Sequence, residues 1–288
     1  MKTHFFQRAL WVGVALTSAS STIVRADVQY TTQTSIAQDG ALKPISSVTT
    51  WLKTGWQRMD STQTIGTYHS DETTVSDKAK KQTLTWDPNL KIYAVEPLQQ
   101  GTTSAATRGG ATGGASKTGV GTLIMTVGAQ FLGLEKLMER PVRHYKTSVQ
   151  TDSSGCCGTG KSSIKSEVWM ADVQLPVFDA GATGMDWRSA YTSASGNCQI
   201  QFQQKGDVKG YEAAQKGLAL KTISFDAEGK PVFSSEITSL SMAALTSDKF
   251  AVPAGYKKVT RTEYDAARTQ AMMSAMMPKE DQGQEDSQ

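Results

Sequence analysis

The sequence predicts a mainly β protein of the α+β class. Short runs of β-branched, aromatic and hydroxyl residues recur along the chain and alternate in polarity, whereas long helical patterns are scarce. Turn signals separate the runs: Asp39-Gly40, Thr54-Gly55, Asp87-Pro88-Asn89 and Ala227-Glu228-Gly229-Lys230. Thr, Ser, Gln and Gly are abundant, as sheet surfaces and turns require.

The clearest element is a hairpin over Lys80–Leu98. Leu84 and Trp86 fall on one face of its first strand, and Thr83 and Thr85 on the other. Asp87 and Pro88 suit the first two positions of a type I turn, because Pro fixes φ near −65°. On the return run Ile92 and Ala94, with Leu90 before them, oppose Tyr93 and Val95. Pro97 then ends the ladder by removing a donor. Strands are expected before it at Val28–Ala37, Val48–Lys53, Trp56–Asp60 and Glu72–Ser76. After it they are expected at Val120–Val127, Val142–Val149, Ser163–Val173, Cys198–Gln203, Leu218–Phe225 and Pro231–Leu245. Phe131–Arg140 reads as a short helix or turn stopped by Pro141, and Asp186–Ala194 as an amphipathic helix. Phe250–Val259 is the last structured run before a helical segment.

The domain plan follows from composition. Residues 1–26 read as a secretory signal peptide, with Lys2 and Arg8 ahead of a short apolar run and Val24-Arg25-Ala26 as the cleavage region. That run is far shorter than the roughly 20 residues that cross a bilayer. Residues 27–262 read as one domain, interrupted by a Gly/Ser/Thr-rich loop over 99–119. Residues 263–288 read as a Met-rich helix and a disordered acidic tail. The protein is therefore expected in a periplasm or the extracellular space after cleavage near Ala26.

Cleavage alters the charge balance. The chain has 30 Lys+Arg and 27 Asp+Glu, and Lys2, Arg8 and Arg25 leave with the leader, so the remainder is neutral. A nucleic-acid-binding surface has no compositional support. The three cysteines are Cys156, Cys157 and Cys198. An oxidising compartment favours one bridge with an odd thiol left over, and adjacent cysteines strain the disulfide geometry. Cys198 is therefore expected to pair with Cys156 or Cys157.

Gly155-Cys-Cys-Gly-Thr-Gly160-Lys161-Ser162 matches the letters of a phosphate-binding loop. Such a loop needs a buried strand before it and a helix after it. Here polar Gln150–Ser154 precedes it and an alternating run follows, so a glycine-rich hairpin tip is expected and nucleotide is not. His69 and His144 have no second ligand at metal spacing, so no metal or other cofactor is expected. No nucleophile elbow is present, and the chain is read as non-catalytic. Met272, Met273, Met276 and Met277 form one helical stripe, more simply an apolar face than a copper site. Trp51, Trp56, Trp86, Tyr93, Trp169 and Trp187 supply an ordinary core or the lining of an apolar cavity.

In their order along the chain, Trp51-Leu-Lys53, Trp56-Gln-Arg58, Thr74-Val-Ser-Asp77 and Trp86-Asp-Pro88 with Lys91-Ile-Tyr93 resemble the periplasmic lipoprotein-carrier superfamily of LolA/LolB type. Arg140-Pro-Val-Arg-His144-Tyr145 and Phe250-Ala-Val-Pro-Ala-Gly255-Tyr256 resemble its uncharacterised secreted branch. The resemblance implies a half-barrel: a curled antiparallel sheet covering a few short helices. It also implies a cavity for a lipid or lipoprotein acyl chain, with Trp51, Trp56, Arg58, Trp86 and Tyr93 as candidate lining. Arg58 is the position that would help hold a lid shut. Lys78 after Asp77, the long insert and the cysteine pair depart from the carrier pattern. The expected partner is a hydrophobic small molecule or lipid, or another envelope protein. A packed structural or stress-related interaction module and, less simply, a metal-handling protein are the rival readings.

Overall fold

The computed structural model describes residues 27–65, 68–98, 119–176 and 198–276. The leader, most of the 99–119 loop, the Asp186–Ala194 segment with Trp187, and the tail from Met277 lie outside the described residues. One open, curled sheet of thirteen strands organises everything else.

The first six strands form a meander: β1 (Val28–Gln38), β2 (Ala41–Lys53), β3 (Trp56–Ile65), β4 (Tyr68–Asp77), β5 (Gln82–Asp87) and β6 (Ile92–Pro97). Asp39 and Gly40 both have positive φ, 55° and 80°, which gives the tight turn that matches strand twist. At the β5–β6 turn, Asp87 Oδ1 accepts from the amides of Asn89 (2.8 Å) and Leu90 (3.0 Å). A buried carboxylate thus serves as the turn's internal template. β13 (Lys257–Lys258) lies parallel to β6 and closes that edge.

On the other side of β1 come β12 (Pro231–Ser241), β11 (Leu218–Phe225), β9 (Gly160–Ala171), β8 (Arg140–Gly155), β7 (Gly119–Leu137) and the parallel edge strand β10 (Cys198–Gly206). The Gly155–Ser162 segment is the β8–β9 hairpin tip, as its flanking polarity predicts. A helix over Phe131–Arg140 does not form. β7 continues through Leu137, turns at Met138 (φ 49°) and Glu139 (φ 60°), and returns as β8. Leu132 is an extra residue between Phe131↔Tyr145 and Gly133↔His144, so a bulge breaks the period-two pattern in the sequence. The turn also uses two side-chain-bearing residues in the left-handed region, where Asn-Gly would have been the recognisable signal.

Two helices complete the described residues, α1 (Val208–Ala214) and α2 (Arg261–Met276), with a single 3-10 turn at Ser247–Phe250. α2 begins two residues before the expected Glu263. Thr260 and Glu263 form a reciprocal cap: the Thr260 amide donates to Glu263 at 2.8 Å, and the Glu263 amide donates to Thr260 Oγ1 at 3.2 Å. No helix among the described residues is long and apolar enough to cross a membrane.

Cross-strand register separates two apolar clusters onto opposite faces. Tyr30 pairs with Thr50 and Leu240, and packs on the larger cluster around Val142, Trp169, Leu218 and Leu220. Trp51, the neighbour of Thr50 along β2, faces the other way and joins the smaller cluster of Val75, Trp86 and Phe250.

Candidate functional site

The smaller cluster is a bed of aromatic residues with one cation in it. Trp51 on β2 pairs with Arg58 on β3, Arg58 with Val75 on β4, and Val75 with Leu84 on β5. Trp86 stands two residues from Leu84 and pairs with Tyr93 on β6. Period-two geometry therefore places Trp51, Arg58, Trp86 and Tyr93 on one face, and Trp56, two residues before Arg58, joins them. The fold brings together all five candidate residues.

Arg58 is held from four sides. Its Nε and Nη2 donate to Asp60 at 2.8 and 2.7 Å, a two-pronged pair. Its guanidinium carbon lies 4.9 Å from the Trp51 ring centre and 5.5 Å from that of Trp86. Ring faces carry negative charge density, so these contacts hold the cation among apolar side chains. Nη1 donates to the Lys249 carbonyl at 2.6 Å.

That last bond reaches the segment covering the bed. Residues 245–256 run over the aromatic face with little regular structure beyond the 3-10 turn. Phe250 is buried among the aromatics, its ring 5.6 Å from that of Trp56. Leu245, Val252 and Tyr256 pack on the same cluster. The start of the segment is tied by Lys53 Nζ to the Leu245 carbonyl at 2.5 Å and by Asp27 Oδ2 to the Leu245 amide at 2.8 Å. Its end joins β6, where the amides of Lys257 and Val259 donate to the Lys91 and Tyr93 carbonyls, both at 2.9 Å. The sequence contains Phe250-Ala-Val-Pro as a marker, but periodicity cannot tell that Phe250 lands on Trp56. The contact joins residues nearly two hundred positions apart.

The opposite face of β4–β6 carries α2, attached largely by charge. Tyr264 is fully buried and donates to Glu72 at 3.3 Å. Arg268 bonds Glu72 and Ser70, and its Nε lies 3.2 Å from Asp87 Oδ2. Burial, then the neighbouring Glu72 charge, raises the Tyr264 pKa well above the ordinary phenol value and keeps the hydroxyl protonated. Arg261 ties the first turn of α2 to Asp265 and to Glu96 on β6. Met273 and Met276 are exposed and Met272 is half-buried, while Met277 lies outside the described residues.

A third constellation surrounds His144, whose acidic partners arrive by strand pairing and not by sequence spacing. Glu135 on β7 lies 2.7 Å from Nδ1, and Glu167 on β9 lies 3.5 Å from Nε2. The imidazole stacks on Trp169 with centres 4.1 Å apart, and Trp169 Nε1 donates to Glu135 at 2.8 Å. The Trp169 bond first, then His144, holds the Glu135 pKa below the usual carboxylate range. Among the described residues no group of three or more His, Cys, Asp or Glu side chains is arranged to hold a metal. His69 is exposed and bonds Thr64.

No protein-family model matches the chain, and no curated protein matches it. Among solved structures, the chain is similar to an uncharacterized conserved protein from Thermus thermophilus, at 12% identity and a TM-score of 0.37, covering 83% of this chain and 92% of that one. It is similar to the MucA/MucB complex structure of Pseudomonas aeruginosa, at 13% identity and a TM-score of 0.36, covering 82% of this chain and 59% of that one. It is also similar to the protein NE2245 from Nitrosomonas europaea, at 10% identity and a TM-score of 0.28, covering 79% of this chain and 91% of that one. NE2245 is described as a LolA superfamily protein.

Proposed function

We propose that this is an exported, non-catalytic protein that shelters a hydrophobic ligand, a lipid or an acyl chain, on the aromatic bed beneath residues 245–256. The observation that carries this reading is the construction of the cover. Phe250 fills the bed, yet ahead of its join to β6 the segment is tied to the sheet by side-chain bonds from Lys53, Asp27 and Arg58 at Leu245 and Lys249. A cover with few backbone bonds of its own opens at lower free energy than the sheet beneath it. An acyl chain would take the place of Phe250. Each methylene sheltered from water there is worth about 0.8 kcal/mol, which favours exchange of the Phe250 ring for a segment of acyl chain.

The test is a titration with a fluorescent fatty acid. Saturable binding is expected, and Phe250→Ala should tighten it by roughly tenfold, because the plug no longer competes. Absence of saturable binding in both forms would remove the carrier reading.

We also propose that Cys156 is the residue joined to Cys198. Cys198 pairs in register with Gly119, and Cys156 Sγ lies 3.3 Å from the Gly119 carbonyl oxygen. Cys157 Sγ sits closer over Gly121, where an added Cβ would come within 2.4 Å of it and 3.1 Å of Cys156 Sγ. Peptide mapping of unreduced protein should recover a Cys156–Cys198 pair. A pair formed by Cys157 and Cys198 would contradict it.

A further inference from the structure

The β7–β8 hairpin ends in an apolar surface that neither cluster uses. Phe131 is 54% exposed, Leu132 44%, Leu134 74% and Met138 40%. Large apolar side chains scattered singly over a surface need no explanation, but four on one hairpin end do. The bulge at Leu132 puts Phe131 and Leu134 on the same face, because Phe131 pairs with Tyr145 and Leu134 with Arg143, two residues apart on β8. The Phe131 and Tyr145 rings lie 5.3 Å apart and stiffen this face. Leu132 projects from the bulge and Met138 from the turn, so the apolar groups surround the end of the hairpin. β10 stops pairing at Val127, and beyond it the β7 edge away from β8 has no strand partner among the described residues.

The charges around this end are unequal. Residues 131–146 contain Lys136, Arg140, Arg143 and Lys146 against Glu135 and Glu139. Both acids are engaged: Glu135 bonds His144 and Trp169, and Glu139 pairs with Lys136 at 2.5 Å. Lys146 is exposed, and Arg140 is half-buried beside the turn.

We propose that the end of the β7–β8 hairpin docks on an anionic lipid surface, with Phe131, Leu132, Leu134 and Met138 entering the interfacial layer and the surplus basic groups meeting headgroup charge. Apolar residues with a basic surplus are what an anionic bilayer surface attracts, since burial of the side chains and counter-charge act together. The unpaired β7 edge fits this depth, because headgroup water still satisfies its amides, as hydrocarbon could not. Docking is separate from the aromatic bed, so vesicle binding and fatty-acid binding can fail independently.

The test is co-sedimentation of the full chain with vesicles of phosphatidylglycerol and phosphatidylcholine in equal parts. Binding is expected, weakening with added salt and with phosphatidylcholine alone. Phe131→Glu with Leu134→Glu should lower the bound fraction by roughly tenfold or more, while leaving the melting temperature close to the parent's, because both side chains are exposed. Leu134→Trp should shift its emission to shorter wavelength when vesicles are added. Equal sedimentation of the parent and the double-glutamate variant, or none for the parent, would overturn the proposal. So would a dimer in light scattering that the double-glutamate variant abolishes, since a second copy would then be the occupant of this surface.

Discussion

Trp86→Ala is expected to destabilise the protein by about 3–5 kcal/mol, the range for removing a large buried aromatic side chain. Trp86 is 2% exposed and touches both components of the bed. It pairs with Tyr93, and the Arg58 guanidinium lies 5.5 Å from its ring. Deleting the indole therefore opens a void beneath Phe250 and removes one of the two ring faces that hold the cation. Collapse of neighbours into the void is opposed by the sheet, because Trp86 sits between β4 and β6 in a fixed ladder. Denaturant unfolding should show a lowered midpoint with an unchanged slope, the signature of lost stability with the same surface exposed. A loss below about 1 kcal/mol would mean that the bed is not packed as described.

Arg268→Ala is expected to cost about 2–4 kcal/mol and to release α2 from the sheet. Removing one member of a buried charged set costs roughly 3–5 kcal/mol, because the remaining charges stay uncompensated, and the lower figure allows for solvent screening. The Asp87 side chain is only 3% exposed, whereas those of Arg268 and Glu72 are 23% and 27% exposed. Without Arg268, Glu72 and Asp87 become two neighbouring carboxylates with no cation between them. Asp87 also templates the β5–β6 turn through Asn89 and Leu90, so the damage reaches the hairpin. Amide exchange should quicken throughout Arg261–Met276 and less so at the turn. Adding Glu72→Gln should recover part of the loss, since it removes one of the stranded charges. Unchanged exchange in α2 would show that apolar contacts, not this clamp, hold the helix.

The parts of this fold that were legible in the sequence are those fixed by neighbours along the chain. Asp87-Pro88-Asn89 marks its own turn, and the alternation around Leu84 and Trp86 gives the correct faces. The polarity of Gln150–Ser154 was enough to turn a phosphate-loop motif into a hairpin tip. Phe131–Arg140 does contain the turn that was one of its two expected forms, at Met138 and Glu139, but the rest of it is strand and not helix, because the bulge at Leu132 shifts the apolar spacing away from period two. The five bed residues could be proposed from the motifs they sit in. Phe250 as their plug could not, nor could Glu135 and Glu167 beside His144. Those depend on which strands become neighbours, which period-two patterning does not encode. The parallel edge strand β10 has the same origin: nothing within Cys198–Gly206 distinguishes it from an antiparallel partner.

The cover over the bed remains the claim on which function depends, and locating the ligand tests it directly. A fatty acid carrying a photoreactive diazirine along its chain should be equilibrated with the protein, irradiated, and the modified peptides mapped. Labelling is expected within β2–β6 and the 245–256 segment, around Trp51, Trp86 and Phe250, and competition by unlabelled fatty acid should suppress it. Labelling confined to other strands, or labelling that unlabelled fatty acid fails to suppress, would contradict a ligand site on the aromatic bed.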